Sequence, residues 1–417
     1  MASLGALETA LWGIVTFSIL VVLHEMGHFL AARAFGVKVH EFMLGLPGPA
    51  LRLHTKNMDW GITAVPLGGY VRIAGMEPGS EDELLGAALV AIRDHGPMTE
   101  FGLARVLGVS EKRAEAIATS LLDWKAVTAD ADNRLVLTVD GDIAWLDAEG
   151  LASHARKVTY RGQSTLKRIA ILAMGVITNL AVAILTFTLV LSIWGYYERS
   201  TTIEVVGADT PAESAGLQAG DTIVAFNGEA IERWDDFLLL ISATEPGDDA
   251  VVTIQRDGRE QEIRALLGDL DGHGFLGVTA EEVHIRLSVW ESVKESFHYV
   301  GLVFQTIGRL FDPSTFQGTV KSFTGVVGVS VMAQEAAAAG ALSYAGLIAM
   351  LSLSLGVMNI LPIPPLDGGK ILMEIVERLM GRPISRAVTL GFSSVGAVLL
   401  FALIGYVMYL DILRYAV

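Results

Sequence analysis

The segment His24-Glu25-Met26-Gly27-His28 places two imidazoles four residues apart with a carboxylate between them. On a helix, residues i and i+4 share a face, so the two histidines can grip one metal ion while Glu25, offset around the helix, is suited to take a proton from metal-bound water. The chain has no cysteine, which excludes a thiol nucleophile, a disulfide framework and any Cys-ligated zinc or iron–sulfur site. A metal must therefore be held by His, Asp or Glu. Catalytic zinc usually takes three protein ligands and leaves a fourth position for water. The strongest third ligand is Asp367, the only acidic residue from 336 to 373, which follows the helix-breaking prolines Pro362, Pro364 and Pro365. His40 and His54 compete for that role, but both lie in polar sequence where a solvated or hydrogen-bonded imidazole is the better expectation.

The elements that must position these residues are membrane spans. Apolar residues make up 52% of the 417, charged residues 18%, and the mean hydropathy is +0.49, which is too apolar for a soluble chain. A formal charge of −16 has the wrong sign for tracking a phosphate backbone, so nucleic acid is excluded as a partner. About 20 helical residues cross a bilayer core. Stretches 9–32, 169–194, 336–366 and 387–410 are long enough, and the two at 169–194 and 387–410 are the most uniformly apolar. The first holds His24, Glu25 and His28, groups costly at bilayer depth unless they serve a metal or a wet cavity. Its head has Glu8 and no basic residue, unlike a cleaved signal peptide, and predicts a retained span.

Lys and Arg collect in cytoplasmic loops near membrane ends. Arg33 and Lys38 follow span one, Lys157, Arg161, Lys167 and Arg168 precede span two, and Lys370, Arg378, Arg382 and Arg386 lie between spans three and four. This pattern predicts a multi-pass protein of the cell inner (cytoplasmic) membrane with both termini and residues 198–335 outside. It also puts residues 24–28 in the cytoplasmic half of span one, at a depth similar to Asp367 at the end of span three.

The expected fold is an α-helical polytopic membrane protein of four spans with three additions. Residues 36–78, after the first span at 1–35, form a membrane-associated region in which 48–76 alternate around Leu51, Leu53, Trp60 and Ile62 and predict a small β-hairpin or sheet at the cytoplasmic face, with a turn at Lys56-Asn57. Residues 79–157 predict a winged-helix-like α+β insertion: three helices, then two strands joined at Asp140-Gly141. Its acidic excess favours a protein partner over DNA. After span two (166–197), residues 198–284 resemble a PDZ domain through Pro211–Leu217, Gly220-Asp221-Thr222-Ile223 and Asn227-Gly228, with Gly274–Gly277 as its weakest match. Residues 285–335 carry an interfacial amphipathic helix and linker, with Val289, Val293, Phe297, Val300, Phe304, Ile307 and Phe311 at helical spacing. The third span with the Asp motif covers 336–372 and the fourth 385–412.

Taken together, His24-Glu25-x-x-His28 in span one, Asn359-x-x-Pro362-x-Pro364-x-Leu366-Asp367-Gly368 near span three, the Pro66–Tyr70 turn and one PDZ-like domain between spans two and three resemble the bacterial site-2 intramembrane metalloproteases. The resemblance covers the chain outside residues 81–155. It implies that His24, His28 and Asp367 bind Zn2+, that Glu25 is the general base, and that Asn359 helps hold the substrate strand. The implied substrates are single-pass transmembrane proteins, such as anti-sigma factors or signal-peptide remnants, cleaved in regulated intramembrane proteolysis. Zinc would polarise the scissile carbonyl and activate water, and Glu25 would pass the water proton to the leaving amine. A substrate helix hides its peptide bonds, so it must unwind and pair as a strand with the hairpin edge. Two Gly-Pro pairs of the family read Gly175-Val176 and Gly325-Val326 here, while Asn179 keeps its motif position. A metal-site transporter and a membrane-anchored PDZ-type binding protein are the rival classes.

Overall fold

A computed structural model describes residues 2–55, 58–66, 68–76, 82–270, 272–382 and 384–415. The expected Lys56-Asn57 turn, Leu67 of the Pro66–Tyr70 turn, and the start of the insertion at 79–81 lie outside these residues. Among the described residues, four helices are long and apolar enough to cross a membrane: Gly5–Ala34, Thr165–Trp194, Ala341–Ile360 and Ala387–Arg414. The chain divides into two compact units, Met1–Phe187 with Val293–Val417, and Thr188–Ser292.

In the first unit, helix α1 (Ala2–Ala34) leads into β1 (Val39–Leu44), β2 (Ala50–His54), β3 (Asp59–Thr63) and β4 (Gly69–Ile73). Strands β2 and β3 form the expected hairpin, in antiparallel register from Ala50↔Thr63 to His54↔Asp59. The hairpin is only half of the element, and of the two forms the pattern left open, hairpin or sheet, the structure has the sheet. Strand β1 pairs parallel to β3 and antiparallel to β4, giving a four-stranded sheet of order β2-β3-β1-β4. As an inner strand buried on both faces at Val39, Phe42 and Met43, β1 lacks the alternation that reveals a strand in sequence. Its buried Glu41 is held by Arg52 at 2.7 Å.

The insertion contains α2 (Leu85–His95), α3 (Glu100–Leu107) and α4 (Glu111–Asp123), then β5 (Val127–Ala129), β6 (Leu135–Leu137) and a helix, α5 (Ala148–Arg156), that was not anticipated. Thr99 and Ser110 cap α3 and α4 through their side chains. The hairpin turns at Asp130–Arg134 rather than at Asp140-Gly141. Asp130 Oδ1 accepts the N–H groups of Asp132 and Arg134 at 3.0 and 2.9 Å, and Asn133 takes a left-handed φ of 55°, so that turn is satisfied locally. The module packs around Leu89, Leu103, Ile117, Leu121, Leu135 and Leu151. It is tied to the sheet by Lys125 Nζ donating to the Val39 carbonyl at 2.8 Å and by the Gly75 N–H donating to Asp123 Oδ2 at 2.9 Å.

Helix α6 (Thr165–Leu189) continues as a π-helical turn over Val190–Trp194. The second unit comprises β7 (Tyr196–Val206), α7 (Pro211–Ala215), β8 (Thr222–Phe226), β9 (Glu229–Ala230), α8 (Trp234–Ser242), β10 (Asp249–Arg256), β11 (Arg259–Leu266), β12 (Gly268–Leu270), β13 (His273–Phe275) and β14 (Val278–Ile285). Its main sheet runs β11-β10-β8-β7-β14, with β9 on β8, over a core of Ile203, Ile223, Phe226, Trp234, Phe237 and Val252. Buried Asp221 of the Gly-Asp turn accepts both arms of the Arg256 fork, at 2.6 and 2.7 Å.

The chain then forms α9 (Val289–Gly308), α10 (Pro313–Ser322), α11 (Val326–Ala339), α12 (Ala341–Ile360), α13 (Asp367–Met380) and α14 (Arg386–Tyr415). Of the expected stripe on α9, Ile307 and its neighbours pack with Ala183, Leu353 and Val357, whereas Val289, Phe297, Phe304 and Phe311 are exposed. The third apolar stretch, 336–372, is divided among three helices. Its Ala-rich start belongs to α11, which ends at Gly340 with φ 115°, α12 supplies the span, and the prolines separate it from α13.

Candidate metal centre

Helix α1 carries His24 and His28 on one face, and both are buried, as is Asp367 at the first position of α13. The Asp367 position depends on two glycines. A Cβ on Gly368 would run into the Ile360 and Leu361 carbonyls, and one on Gly369 would lie 2.7 Å from the Ile363 carbonyl carbon. The start of α13 can fold back onto the end of α12 and the proline-containing connection only because both side chains are absent.

Asp367 Oδ2 lies 2.9 Å from His24 Nε2 and 3.0 Å from His28 Nε2, and the two Nε2 atoms are 3.2 Å apart. Ligand atoms at about 2.0–2.1 Å from a tetrahedral zinc ion sit about 3.3 Å from one another. The observed triangle is slightly tighter and of that size. Two imidazole nitrogens and a carboxylate oxygen converging in a buried space call for positive charge between them, and a pair of histidines with one carboxylate is a donor set of catalytic zinc. The residues present therefore fit zinc. Among the described residues this is the one group of three or more His, Asp or Glu side chains arranged to hold a metal.

Each donor is oriented from behind. His28 Nδ1 donates to the Ile171 carbonyl of α6 at 2.8 Å, which fixes the tautomer that leaves Nε2 free. Asn179 reaches His24 Nδ1 at 3.4 Å. Lys370 Nζ donates to Asp367 Oδ1 at 3.3 Å, leaving Oδ2 to face the histidines. Helix α6 comes this close because Gly175 has no side chain: a Cβ there would sit 2.7 Å from His28 Cε1 and 2.8 Å from His24 Cε1.

Glu25 is not part of the triangle, and its Oε2 accepts the Val71 N–H of β4 at 3.0 Å. Asn359 is buried on α12 and donates to the Leu355 carbonyl of its own helix at 3.0 Å, so its amide is not brought to the triangle. Neither rival ligand joins it: His40 Nε2 donates to the Asp123 carbonyl at 2.7 Å, and His54 Nδ1 pairs with Asp59 at 3.0 Å. Sequence reasoning missed the backbone partners Ile171 and Val71, which leave no trace in residue identity, and read Gly175 only as half of an altered motif.

A second polar cluster anchors α13. The Tyr160 hydroxyl donates to Glu374 Oε1 at 2.9 Å, and Arg168 Nη1 lies 3.0 Å from Glu374 Oε2. Burial, and next the Glu374 carboxylate, push the Tyr160 phenol well above its usual range, and burial raises the Glu374 carboxyl against the opposing pull of Arg168. Tyr160 and Glu374 line a cavity of about 250 Å³ together with Lys370, Gly369 and Pro364.

Apolar helices around a buried triangle of two histidines and one aspartate, with a glutamate beside it on the same helix, define a membrane-embedded metallopeptidase of zinc type. The profile of peptidase family M50 matches residues 12–403, and the chain belongs to that family. The zinc metalloprotease RasP of Oceanobacillus iheyensis is 29% identical over 418 residues, covering 96% of this chain and 98% of its own. The probable protease eep of Enterococcus faecalis is 25% identical over 405 residues, covering 91% and 92%. A PDZ domain of the SdrC-like protein of Listeria innocua matches 20% of this chain and 97% of its own at 24% identity with a TM-score of 0.19, too slight a likeness to bear on the fold. The protein is a site-2-type zinc metalloendopeptidase of the membrane that acts on membrane-bound substrates. The transporter and binding-protein readings fall away.

Proposed function

We propose that His24, His28 and Asp367 hold the zinc ion and that Glu25 is the general base for hydrolysis of a peptide bond within the bilayer. The observation that carries this reading is the convergence of Asp367 Oδ2 and the two Nε2 atoms, within 3.2 Å of one another, in a buried space. When bound, zinc polarises the scissile carbonyl and lowers the pKa of water toward about 7. Glu25, one residue from His24 and outside the ligand set, takes the water proton and delivers it to the leaving amine nitrogen. Replacing Glu25 with Gln keeps the acceptor for the Val71 amide and removes the base, so zinc content should stay near one per chain while cleavage falls by about 10²–10⁴. Cleavage within a few-fold of wild type would refute the assignment.

The substrates are single-pass transmembrane proteins, among which anti-sigma factors and signal-peptide remnants have the required form. A transmembrane helix must unwind before its backbone can be attacked. Strand β4 is an edge of the sheet and its Val71 amide touches Glu25, which favours this edge as the place where the unwound segment is held extended, with Asn359 assisting. The Lys and Arg distribution supports an inner-membrane orientation with the sheet and the 82–156 insertion in the cytoplasm and the termini and PDZ-like unit outside. The acidic insertion docks a cytoplasmic protein rather than nucleic acid. Its anchorage to β1 and to Gly75, just past β4, through Lys125 and Asp123 supports a role at the substrate-holding sheet.

A further inference from the structure

We infer that Asn179 is a positioning residue for the metal centre, setting the tautomer and ring orientation of His24. This rests on the ligand assignment proposed above. Asn179 is fully buried, and its side-chain amide nitrogen and His24 Nδ1 are 3.4 Å apart. Its Oδ1 is buried and without a hydrogen-bond partner among the described residues. An unsatisfied buried carbonyl is costly, and an amide turned end for end fills the same space with its oxygen and nitrogen exchanged. Ligation fixes the answer. A histidine that binds metal through Nε2 carries its proton on Nδ1, and that N–H needs an acceptor. Turning the Asn179 amide over puts the orphaned Oδ1 in front of Nδ1.

The surroundings are built to hold the amide there. The Asn179 main-chain carbonyl accepts the Ser352 hydroxyl of α12 at 3.0 Å, and α12 packs against this part of α6 at Gly356, where a Cβ would lie 3.1 Å from Leu180 Cδ2 and 3.4 Å from Asn179 Cβ. Asn179 is thus clamped by α12 while its side chain faces α1. The two histidines are then served in parallel from α6, His28 by the Ile171 carbonyl and His24 by the Asn179 side chain, two turns apart on one helix. Loss of such an outer partner typically weakens metal affinity by about 10–100-fold.

The test is zinc affinity of the full-length protein in detergent, by competition with a chromophoric chelator. Asn179→Leu, similar in size and lacking an acceptor, should raise the zinc Kd by about 10–100-fold. Asn179→Asp keeps an oxygen facing Nδ1 and should hold zinc at least as tightly as wild type, which a purely structural role would not predict. Zinc binding by Asn179→Leu within about threefold of wild type, or by Asn179→Asp as weakly as the Leu variant, would overturn the inference. His28→Ala separates the two levels: if it still binds zinc stoichiometrically, the ligand assignment itself fails, whatever the Asn179 variants do.

Discussion

Glu25 Oε2 on α1 accepts the main-chain N–H of Val71 on β4 at 3.0 Å. The contact joins the proposed base to the edge strand proposed to hold the substrate. Strand residues alternate in the side to which their amides point, and the Ala74 N–H and Gly68 carbonyl bond toward the β1 side, which places the Val71 N–H on the outer edge. Val71→Pro removes that donor at an edge position where proline is tolerated. Zinc content should be retained while cleavage of a transmembrane substrate falls by about tenfold or more, because the carboxylate loses the group that orients it. Val71→Ala keeps the amide and should lose far less. Equal rates for the two variants would show that the contact does not position the base.

Zinc should be lost sharply from His28→Ala and from Asp367→Ala on metal analysis of purified protein. Lys370→Met keeps the proposed ligands and removes only the donor to Asp367 Oδ1. Its zinc affinity should fall by less than that of either ligand variant, by about tenfold.

Gly175 is held to glycine by both histidines. In Gly175→Ala the new methyl meets the His24 and His28 rings, so zinc binding and cleavage should both drop by about tenfold or more, although alanine is the better helix former. Unimpaired zinc binding would mean that α6 can move away from α1 at no cost.

The altered Gly325-Val326 pair has a compensating partner. Buried Asp411 of α14 accepts the Gly328 N–H at 2.9 Å through Oδ2, at the N-terminus of α11. Arg414 Nη1 donates to the Phe323 carbonyl at 3.1 Å, so the end of α14 grips the entry to α11. A carboxylate there satisfies orphan amides and meets the positive end of the helix dipole. Asp411→Leu should cost about 1–2 kcal/mol in thermal unfolding, and adding Val326→Pro, a residue favoured at the first helical position, should recover part of it. No recovery would separate the proline question from the Asp411 contact.

Orientation is open to a direct check because the chain has no cysteine of its own. Asp142→Cys in the insertion should be shielded from an impermeant thiol reagent in intact cells, and Glu229→Cys in the second unit should react, since both positions are exposed. The reverse pattern would invert the topology and move the proposed active site to the opposite leaflet.

Much of this protein is legible in one dimension because the bilayer and the metal both impose local rules. A span must be a run of about 20 apolar residues, and two ligands on one face of a helix must lie a turn apart, so Thr165–Trp194 and the His24/His28 pair declare themselves. Asp367 is legible for a related reason, as a lone acidic residue in apolar sequence. Other features depend on which backbones come together. Strand β1 is hidden by burial on both faces, and the turn at Asp130–Arg134 outcompetes Asp140-Gly141 through side-chain bonds to its own main chain. The Ile171 carbonyl behind His28 and the Val71 amide on Glu25 belong to groups almost every residue carries, so no residue type marks them. Tertiary packing alone decided which of those common groups would face the centre, and why Gly175 had to stay small for α6 to reach it.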